Sequence, residues 1–197
     1  MSTHEASDLD QYIRYLKERL FFEPESAVFH YNLGLAYLRK GFREEAASEF
    51  RQAIECDPNL AQAYVNLAGI LFQQGKLDEC IDYNRKALEL DPNLPMPYNN
   101  LGFAYLQKGD YEKAVEACQK AVELMPTLLQ AHHNLGLALL NLNRFQEAER
   151  AFLKAIEIKS DFASAYYYLS VVYSAMGEDE KATIYREKAI QLGLPVE

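Results

Sequence analysis

Apolar residues recur every three or four positions along most of this chain, in blocks separated by short polar segments. Two consecutive blocks illustrate the spacing: Leu33, Ala36 and Tyr37 in the first, and Ala46, Phe50, Ala53 and Ile54 in the second. This spacing is the period of an α-helix that buries one of its faces. The pattern therefore predicts a succession of amphipathic helices.

The blocks belong to a repeat with a period of 34 residues. Gly34, Gly102 and Gly136 align at multiples of this period, and Ala68 and Ser170 occupy the same small-residue slot in the two remaining copies. Two further slots hold one residue type in all five copies: Leu33, Leu67, Leu101, Leu135 and Leu169, and Ala53, Ala87, Ala121, Ala155 and Ala189. A constant period of this length indicates an array in which each copy is one supersecondary unit.

A glycine or an asparagine stands between the two predicted helices of every copy. These residues are Gly41, Gly75, Gly109, Asn143 and Gly177. Helices often end on a residue in the left-handed conformation, which glycine adopts freely and asparagine tolerates. We therefore expect the first helix of each copy to end at this residue.

This combination of slots resembles the tetratricopeptide repeat, a helix–turn–helix unit with a Leu-Gly pair, later alanines and a closing proline such as Pro58, Pro92 or Pro126. The resemblance implies an all-α fold: a right-handed α-solenoid of five helix–turn–helix repeats with an N-terminal capping helix. The copies would span residues 27–60, 61–94, 95–128, 129–162 and 163–196. The small slots would let the two helices of a copy approach closely.

The two ends of the chain depart from the repeat. Residues 1–26 precede the first copy, and Asp8 to Phe22 reads as one amphipathic helix. We expect this segment to cap the first repeat, and the alternative is that it swaps onto a neighbouring molecule. The fifth copy carries Asp179 and Arg186 where earlier copies mostly have apolar or aromatic residues. This polarity fits the exposed end of an array.

In tetratricopeptide repeats the first helices line the concave face, and the resemblance carries this role to the first helices here. Position six of the five copies holds Asn32, Asn66, Asn100, Asn134 and Tyr168. A carboxamide both donates and accepts hydrogen bonds, so the row could pair with the backbone of an extended peptide. The row resembles the asparagine ladder in the repeat region of O-GlcNAc transferases. The alternative is that these amides bond only between neighbouring helices.

Large aromatic rings complete the predicted groove, because rigid aromatics make good anchors. Besides the position-six row, we expect a peptide to contact Tyr31, Phe72, Phe103, His133 and Tyr167. Relatives that bind chaperones hold a C-terminal carboxylate with lysine and arginine. The matching positions here lack those cations, so we do not expect that ligand.

Charge and composition narrow the classes of partner. The net charge of −9 disfavours nucleic acid, whose phosphates would be repelled. The charged N-terminus contains no apolar export signal, and no apolar run is long enough to span a membrane. Cys56, Cys80 and Cys118 form no disulfide framework or metal-binding spacing. These features favour a cytoplasmic protein with reduced cysteines.

Residues with catalytic or metal-binding patterns are missing from the sequence. The four histidines are His4, His30, His132 and His133; His30 and His132 match packing positions of the repeat, and His133 has no second ligand at metal-binding spacing on its helix. No phosphate-binding loop, nucleophile elbow or metalloprotease motif occurs. We therefore expect neither an enzyme nor a cofactor or metal.

Two functions remain open from the sequence. In the first, the chain is a non-catalytic interaction module, an adaptor or assembly scaffold, that holds an extended peptide segment of a partner in its concave groove. In the second, it is a self-assembling structural scaffold and a homo-oligomer. Its N-terminal helix, with Tyr12, Tyr15, Phe21 and Phe22, would then dock in the groove or at the end of another molecule.

Overall fold

The computed structural model describes residues 3–194, with side chains from Ser7 onwards. The described part of the chain contains eleven α-helices and no strands. The helices are α1 (Thr3–Phe22), α2 (Ala27–Lys40), α3 (Arg43–Cys56), α4 (Ala61–Gln73), α5 (Leu77–Leu90), α6 (Pro95–Lys108), α7 (Tyr111–Leu124), α8 (Leu129–Asn141), α9 (Phe145–Ile158), α10 (Ala163–Ala175) and α11 (Asp179–Gln191). The predicted all-α fold is confirmed.

The helices fall into two compact units, residues 1–92 with α1 to α5 and residues 93–197 with α6 to α11. In the first unit α1 packs on α2, α2 on α3, α3 on α4 and α4 on α5. In the second unit each helix from α6 to α11 likewise packs on the next. Packing between sequence neighbours is the arrangement that stacked helical hairpins require. The boundaries predicted for the five copies and for segment 1–26 stay predictions.

The connection inside each hairpin follows the expected turn chemistry. Asn143 has φ +58°, and it is the non-glycine residue with positive φ among residues 3–194. The backbone N–H of the next residue, Arg144, donates to the carbonyl of Leu139 at 2.9 Å, which closes the helix end. The four equivalent glycines have φ between 75° and 80°. The prediction that these positions adopt the left-handed conformation is confirmed.

Close approach of the two helices explains the small-residue slot. A Cβ placed on Gly34 would lie 2.7 Å from the ring of Phe50, and one on Gly136 would lie 2.6 Å from the ring of Phe152. Both phenylalanines are fully buried, so neither ring can move into solvent. Glycine is therefore needed at these positions for packing between helices rather than for backbone conformation.

Helix α1 is held on α2 by one apolar face. Leu9, Ile13 and Leu16 of α1 are buried together with Leu33 and Ala36 of α2. Polar contacts flank this core, since Lys40 of α2 forms an ion pair with Asp10. The Lys17 ammonium lies 5.7 Å from the centre of the Tyr37 ring, and the Arg19 guanidinium lies 5.4 Å from that of Phe29. These contacts fix the orientation of α1 around its own axis.

Candidate functional site

The candidate site consists of the position-five and position-six side chains of the first helices. In the first unit these are Tyr31 and Asn32 on α2, and Val65 and Asn66 on α4, and all four are half-buried. Half-buried side chains on consecutive first helices keep part of their surface available to a ligand. The groove residue Phe72, further along α4, is also half-buried.

In the second unit the side chains at the same positions differ more in their exposure to solvent. Asn99 and Asn134 are buried, at 7% and 6% exposed, whereas Asn100 and His133 are half-buried. The remaining predicted groove residues, Phe103, Tyr167 and Tyr168, are half-buried as well. The predicted site residues therefore differ in accessibility, and Asn134 has the least surface left for a peptide.

A regular pairing joins position six of one copy to position five of the copy before it. The Asn66 amide donates to the hydroxyl of Tyr31 at 3.1 Å. The Asn134 amide donates to the side-chain oxygen of Asn99, also at 3.1 Å. In the fifth copy, where position six is aromatic, the ring of Tyr168 lies 5.5 Å from that of His133. Each pair spans two successive first helices, so these residues help to fix the stacking of one copy on the next.

Asn32, at position six of the first copy, takes part in no such pair among the described residues. Its carboxamide forms no hydrogen bond with any side chain or backbone group in the described part of the chain. The side chain of Asn66 is only partly satisfied. Besides its bond to Tyr31, its amide group donates to the Gln62 carbonyl at 2.9 Å. The amide hydrogens of Asn66 are thus both engaged, while its carbonyl oxygen accepts no bond from the described residues.

His133 lies inside an aromatic cluster of the second unit. Its ring centre is 5.0 Å from that of Phe162, 5.5 Å from that of Tyr168 and 5.7 Å from that of Phe152. Nε2 is 3.5 Å from the hydroxyl of Ser164, whereas Nδ1 is buried and has no hydrogen-bond partner. Burial among these rings lowers the pKa of His133 to about 4. The imidazole is therefore neutral at physiological pH and behaves as a packing group.

The cysteine side chains are poor nucleophiles in this fold. Cys80 and Cys118 are fully buried, and burial raises the pKa of Cys80 to about 11 and that of Cys118 to about 12. Both thiols stay protonated at neutral pH, and the thiolate is the reactive form. Among the described residues no group of three or more His, Cys, Asp or Glu side chains is arranged to hold a metal ion.

Sequence reasoning missed two features around the site. The first is the role of Asn99 as the partner of Asn134, and the spacing of 35 residues that links all three pairs is the signal that could have found it. The second feature is an open groove of about 800 Å³ between α10 and α11, lined by Tyr167, Ser170, Val171, Ser174, Thr183 and Arg186 among others.

None of the helices in the described residues is long and apolar enough to cross a membrane.

Profiles of the tetratricopeptide repeat match most of the chain. One profile matches residues 93–161, and a second matches residues 9–61, 31–95 and 133–191. These matches include ten of the eleven helices in full and most of α1. No curated protein gives a significant match to the whole sequence.

Solved structures of similar proteins have the same fold. A crystal structure of MamA is 26% identical, with a TM-score of 0.74 over 81% of this chain and 94% of that one. PilF from Pseudomonas aeruginosa is 26% identical, with a TM-score of 0.77 over 88% of this chain and 79% of that one. YrrB, described as a TPR protein with an unusual peptide-binding site, is 24% identical, with a TM-score of 0.76 over 90% and 92% of the two chains. The last likeness shows the fold alone, and the predicted α-solenoid of helical repeats is confirmed.

Proposed function

Because the chain belongs to the tetratricopeptide repeat family, whose members are generally protein-interaction modules, we propose that it binds an extended segment of a partner protein along its first helices. The observations that carry this proposal are the Asn32 carboxamide, which has no hydrogen-bond partner among the described residues, and the Asn66 carbonyl oxygen, which accepts no bond from them. These groups complement the N–H and C=O groups of a peptide backbone. The partner would act through its backbone as much as through its side chains.

The proposed binding residues have different roles. Asn32 offers a donor and an acceptor, and Asn66 offers an acceptor, so these two form the polar part of the site in the first unit. Tyr31, Phe72, Phe103 and Tyr167 provide half-buried aromatic surface that suits apolar side chains of the peptide. Asn134, which is buried on Asn99, would chiefly support the helices. In this proposal, a peptide-binding role like that of the asparagine ladder of O-GlcNAc transferases is assigned to Asn32 and Asn66, whose side chains keep unbonded polar atoms.

A peptide titration tests this division of roles. A random peptide library displayed on phage would be selected on the full chain, and one selected peptide would be synthesised as the probe. Asn32→Ala should weaken its binding about two- to tenfold, as expected for the loss of one hydrogen bond, with an unchanged melting temperature. Asn59→Ala, which removes an exposed carboxamide from the loop before α4, is the matched control and should bind normally.

The result that refutes the site is equal affinity of the wild-type protein and Asn32→Ala for a peptide that does bind the first helices. The double variant Asn66→Ala with Asn100→Ala then reports on the rest of the row. Weaker binding by the double variant with retained helix content would keep part of the row in the site. Unchanged binding would remove the row entirely and leave the aromatic residues as the binding surface.

A non-catalytic role and a cytoplasmic location belong to the same proposal. Members of the family act by binding, and the buried, protonated thiols of Cys80 and Cys118 and the neutral His133 agree with that role. Incubation of the purified protein with general hydrolase and transferase substrates should show no turnover. Fractionation of host cells should recover the protein with the soluble cytoplasmic markers.

A second candidate function is self-assembly, and the exposure of aromatic rings on α1 favours it. Phe21 is 81% exposed and Phe22 is 76% exposed, and the two rings contact each other edge to face. An N-terminal helix of this kind could dock in the groove or at the end of another molecule. In that case, replacing both phenylalanines by serine in the full chain should weaken concentration-dependent association. An unchanged association constant in this variant would exclude docking through these rings.

A further inference from the structure

One stripe along α1 is complementary to itself. Asp8, Tyr12, Tyr15 and Arg19 follow one another at spacings of four, three and four residues. With about 100° of rotation per residue, all four lie within about 60° of one another on the helix surface. The buried stripe of Leu9, Ile13, Leu16 and Leu20, which packs on α2, is centred roughly 100° away. The four residues therefore lie beside the core-facing side and are all exposed.

The two rings at the centre of this stripe stack on each other and are accessible. Tyr12 is 42% exposed and Tyr15 is 51% exposed, and their rings are stacked with centres 6.4 Å apart and planes inclined by 18°. Arg19 is positioned by an ion pair with Glu23 and by the ring of Phe29, yet its side chain is 44% exposed. Exposed aromatic groups that are already ordered lose little entropy on binding, which makes them suitable interface anchors.

We infer that α1 forms an antiparallel, two-fold symmetric contact with α1 of a second copy of this chain. The sequence acid–aromatic–aromatic–base is unchanged when it is reversed and its charges are exchanged. About an axis that passes midway between Tyr12 and Tyr15, Asp8 lies opposite Arg19 of the second copy, and Tyr12 lies opposite Tyr15. A two-fold interface forms each contact twice and needs a self-complementary patch of this kind.

The local pattern of charges favours a second copy over other occupants of this face. The net charge of −9 opposes an anionic membrane surface or a nucleic acid and also opposes a second copy, so the attraction must come from the pairing of Asp8 with Arg19. A different protein would need its own base–aromatic–aromatic–acid pattern at matching spacings, whereas a second copy supplies it necessarily. This mode uses α1 against α1 and leaves the first helices free, so it is independent of peptide binding and differs from docking of α1 in a groove.

Charge reversal in the full chain tests the pairing by sedimentation velocity across a wide range of concentrations. Asp8→Lys places two like charges opposite each other at both ends of the contact, and Arg19→Glu does the same with the opposite sign. Each variant should weaken dimerisation at least about tenfold. The double variant, Asp8→Lys with Arg19→Glu, should restore the wild-type dimer. An equimolar mixture of the two single variants should form a heterodimer, since both of its charged pairs are then favourable.

Two neutral substitutions separate the stripe from unspecific apolar association. Tyr15→Ser should weaken the dimer, because it removes an aromatic contact twice. Phe21→Ser is the matched control: Phe21 is more exposed than Tyr15 but lies about 150° around the helix from the centre of the stripe, so the dimer should be unaffected. Circular dichroism checks that α1 remains folded in Arg19→Glu. If that variant loses helix content, the single variants Asp8→Lys and Tyr15→Ser test the interface instead.

Several outcomes would overturn the inference. A wild-type protein that is monomeric at every concentration excludes the dimer. A dimer that resists Asp8→Lys and Tyr15→Ser, or that depends equally on Phe21, excludes this stripe as the interface. Failure of both the double variant and the mixture to restore association excludes the antiparallel pairing. Peptide titration of monomeric Asp8→Lys reports separately on the proposed groove, so the two ideas can fail independently.

Discussion

His133 should make the free energy of unfolding depend on pH, and the substitution His133→Phe should remove this dependence. Its ring is enclosed by Phe152, Phe162 and Tyr168, and Nδ1 is buried without a hydrogen-bond partner. Protonation would make both ring nitrogens donors and would place a positive charge on a ring whose Nδ1 has no acceptor. His133→Phe keeps an aromatic ring in the cluster and removes the titrating group, so the variant isolates this single effect.

The magnitude follows from the difference in pKa between the two states. Burial lowers the pKa of His133 in the folded protein to about 4, from an ordinary value of 6.5. Between these values the unfolded chain binds a proton that the folded protein does not, so the free energy of unfolding falls as pH decreases. The stabilisation is complete above pH 6.5 and decreases towards pH 4. At about pH 5 the loss attributable to His133 is at most about 2 kcal/mol.

Urea denaturation followed by far-UV circular dichroism measures this loss. The free energies of unfolding of the wild-type protein and of His133→Phe would each be determined at about pH 7.5 and about pH 5. The decrease between the two pH values should be about 2 kcal/mol smaller in the variant. All other titrating groups are common to both proteins and cancel in the comparison. Parallel pH profiles in the two proteins would refute the account of His133 as a buried, neutral ring.

Substitutions at four further positions test the packing and the turn chemistry. Gly136→Ala should lower the free energy of unfolding by about 1–3 kcal/mol, because the new Cβ collides with Phe152. Gly69→Ala, whose new Cβ meets no neighbouring atom within 4 Å, should raise the free energy of unfolding by about 0.5–1 kcal/mol. Urea denaturation measures both changes. Asn143→Ala should destabilise by about 1 kcal/mol, because alanine disfavours the positive φ of this turn, and Asn143→Gly should not. Asn134→Ala should lower the melting temperature, since it removes a buried hydrogen bond worth about 1 kcal/mol; an unchanged melting temperature would leave this residue without a structural role.

The helical repeat could be predicted from the sequence because its rules are local. The glycine and asparagine residues between paired helices adopt positive φ for reasons contained in a few neighbouring residues, as Asn143 shows with φ +58°. The small slot of Gly34 and Gly136 could be assigned to close helix packing because it recurs at a constant period. The rings that require it, Phe50 and Phe152, lie 16 residues further on, in the next helix of the same copy. Contacts between the two helices of one copy can therefore be predicted from the constant spacing of the repeat.

The roles of the asparagine side chains could be predicted only in part, because each role depends on a residue of the preceding copy. That residue is Tyr31 for Asn66 and Asn99 for Asn134, and the position-five residue varies between copies. A hydroxyl partner leaves Asn66 half-buried, whereas a second carboxamide partner accompanies near-complete burial of Asn134. The amides of Asn66 and Asn134 therefore bond to a neighbouring first helix, while peptide contact by the row, and the alternative that these amides bond only between helices, stay predictions.

The last copy shows how a repeat can end without exposing an apolar core, and this bears on where copies of the chain would meet. In the first four copies one slot of the second helix is fully buried, and it holds Phe50, Asn84, Cys118 and Phe152. In α11 the same slot holds Arg186, which is exposed and lines the groove beside α10. Within Asp179–Gln191, Ala189 is the one buried side chain. The charged side chain removes apolar area from the core slot, although Ile184 and Ile190 of α11 are 63% and 51% exposed. Exposed apolar area therefore lies on both α1 and α11, and α1 differs in that its exposed stripe of Asp8, Tyr12, Tyr15 and Arg19 is complementary to itself.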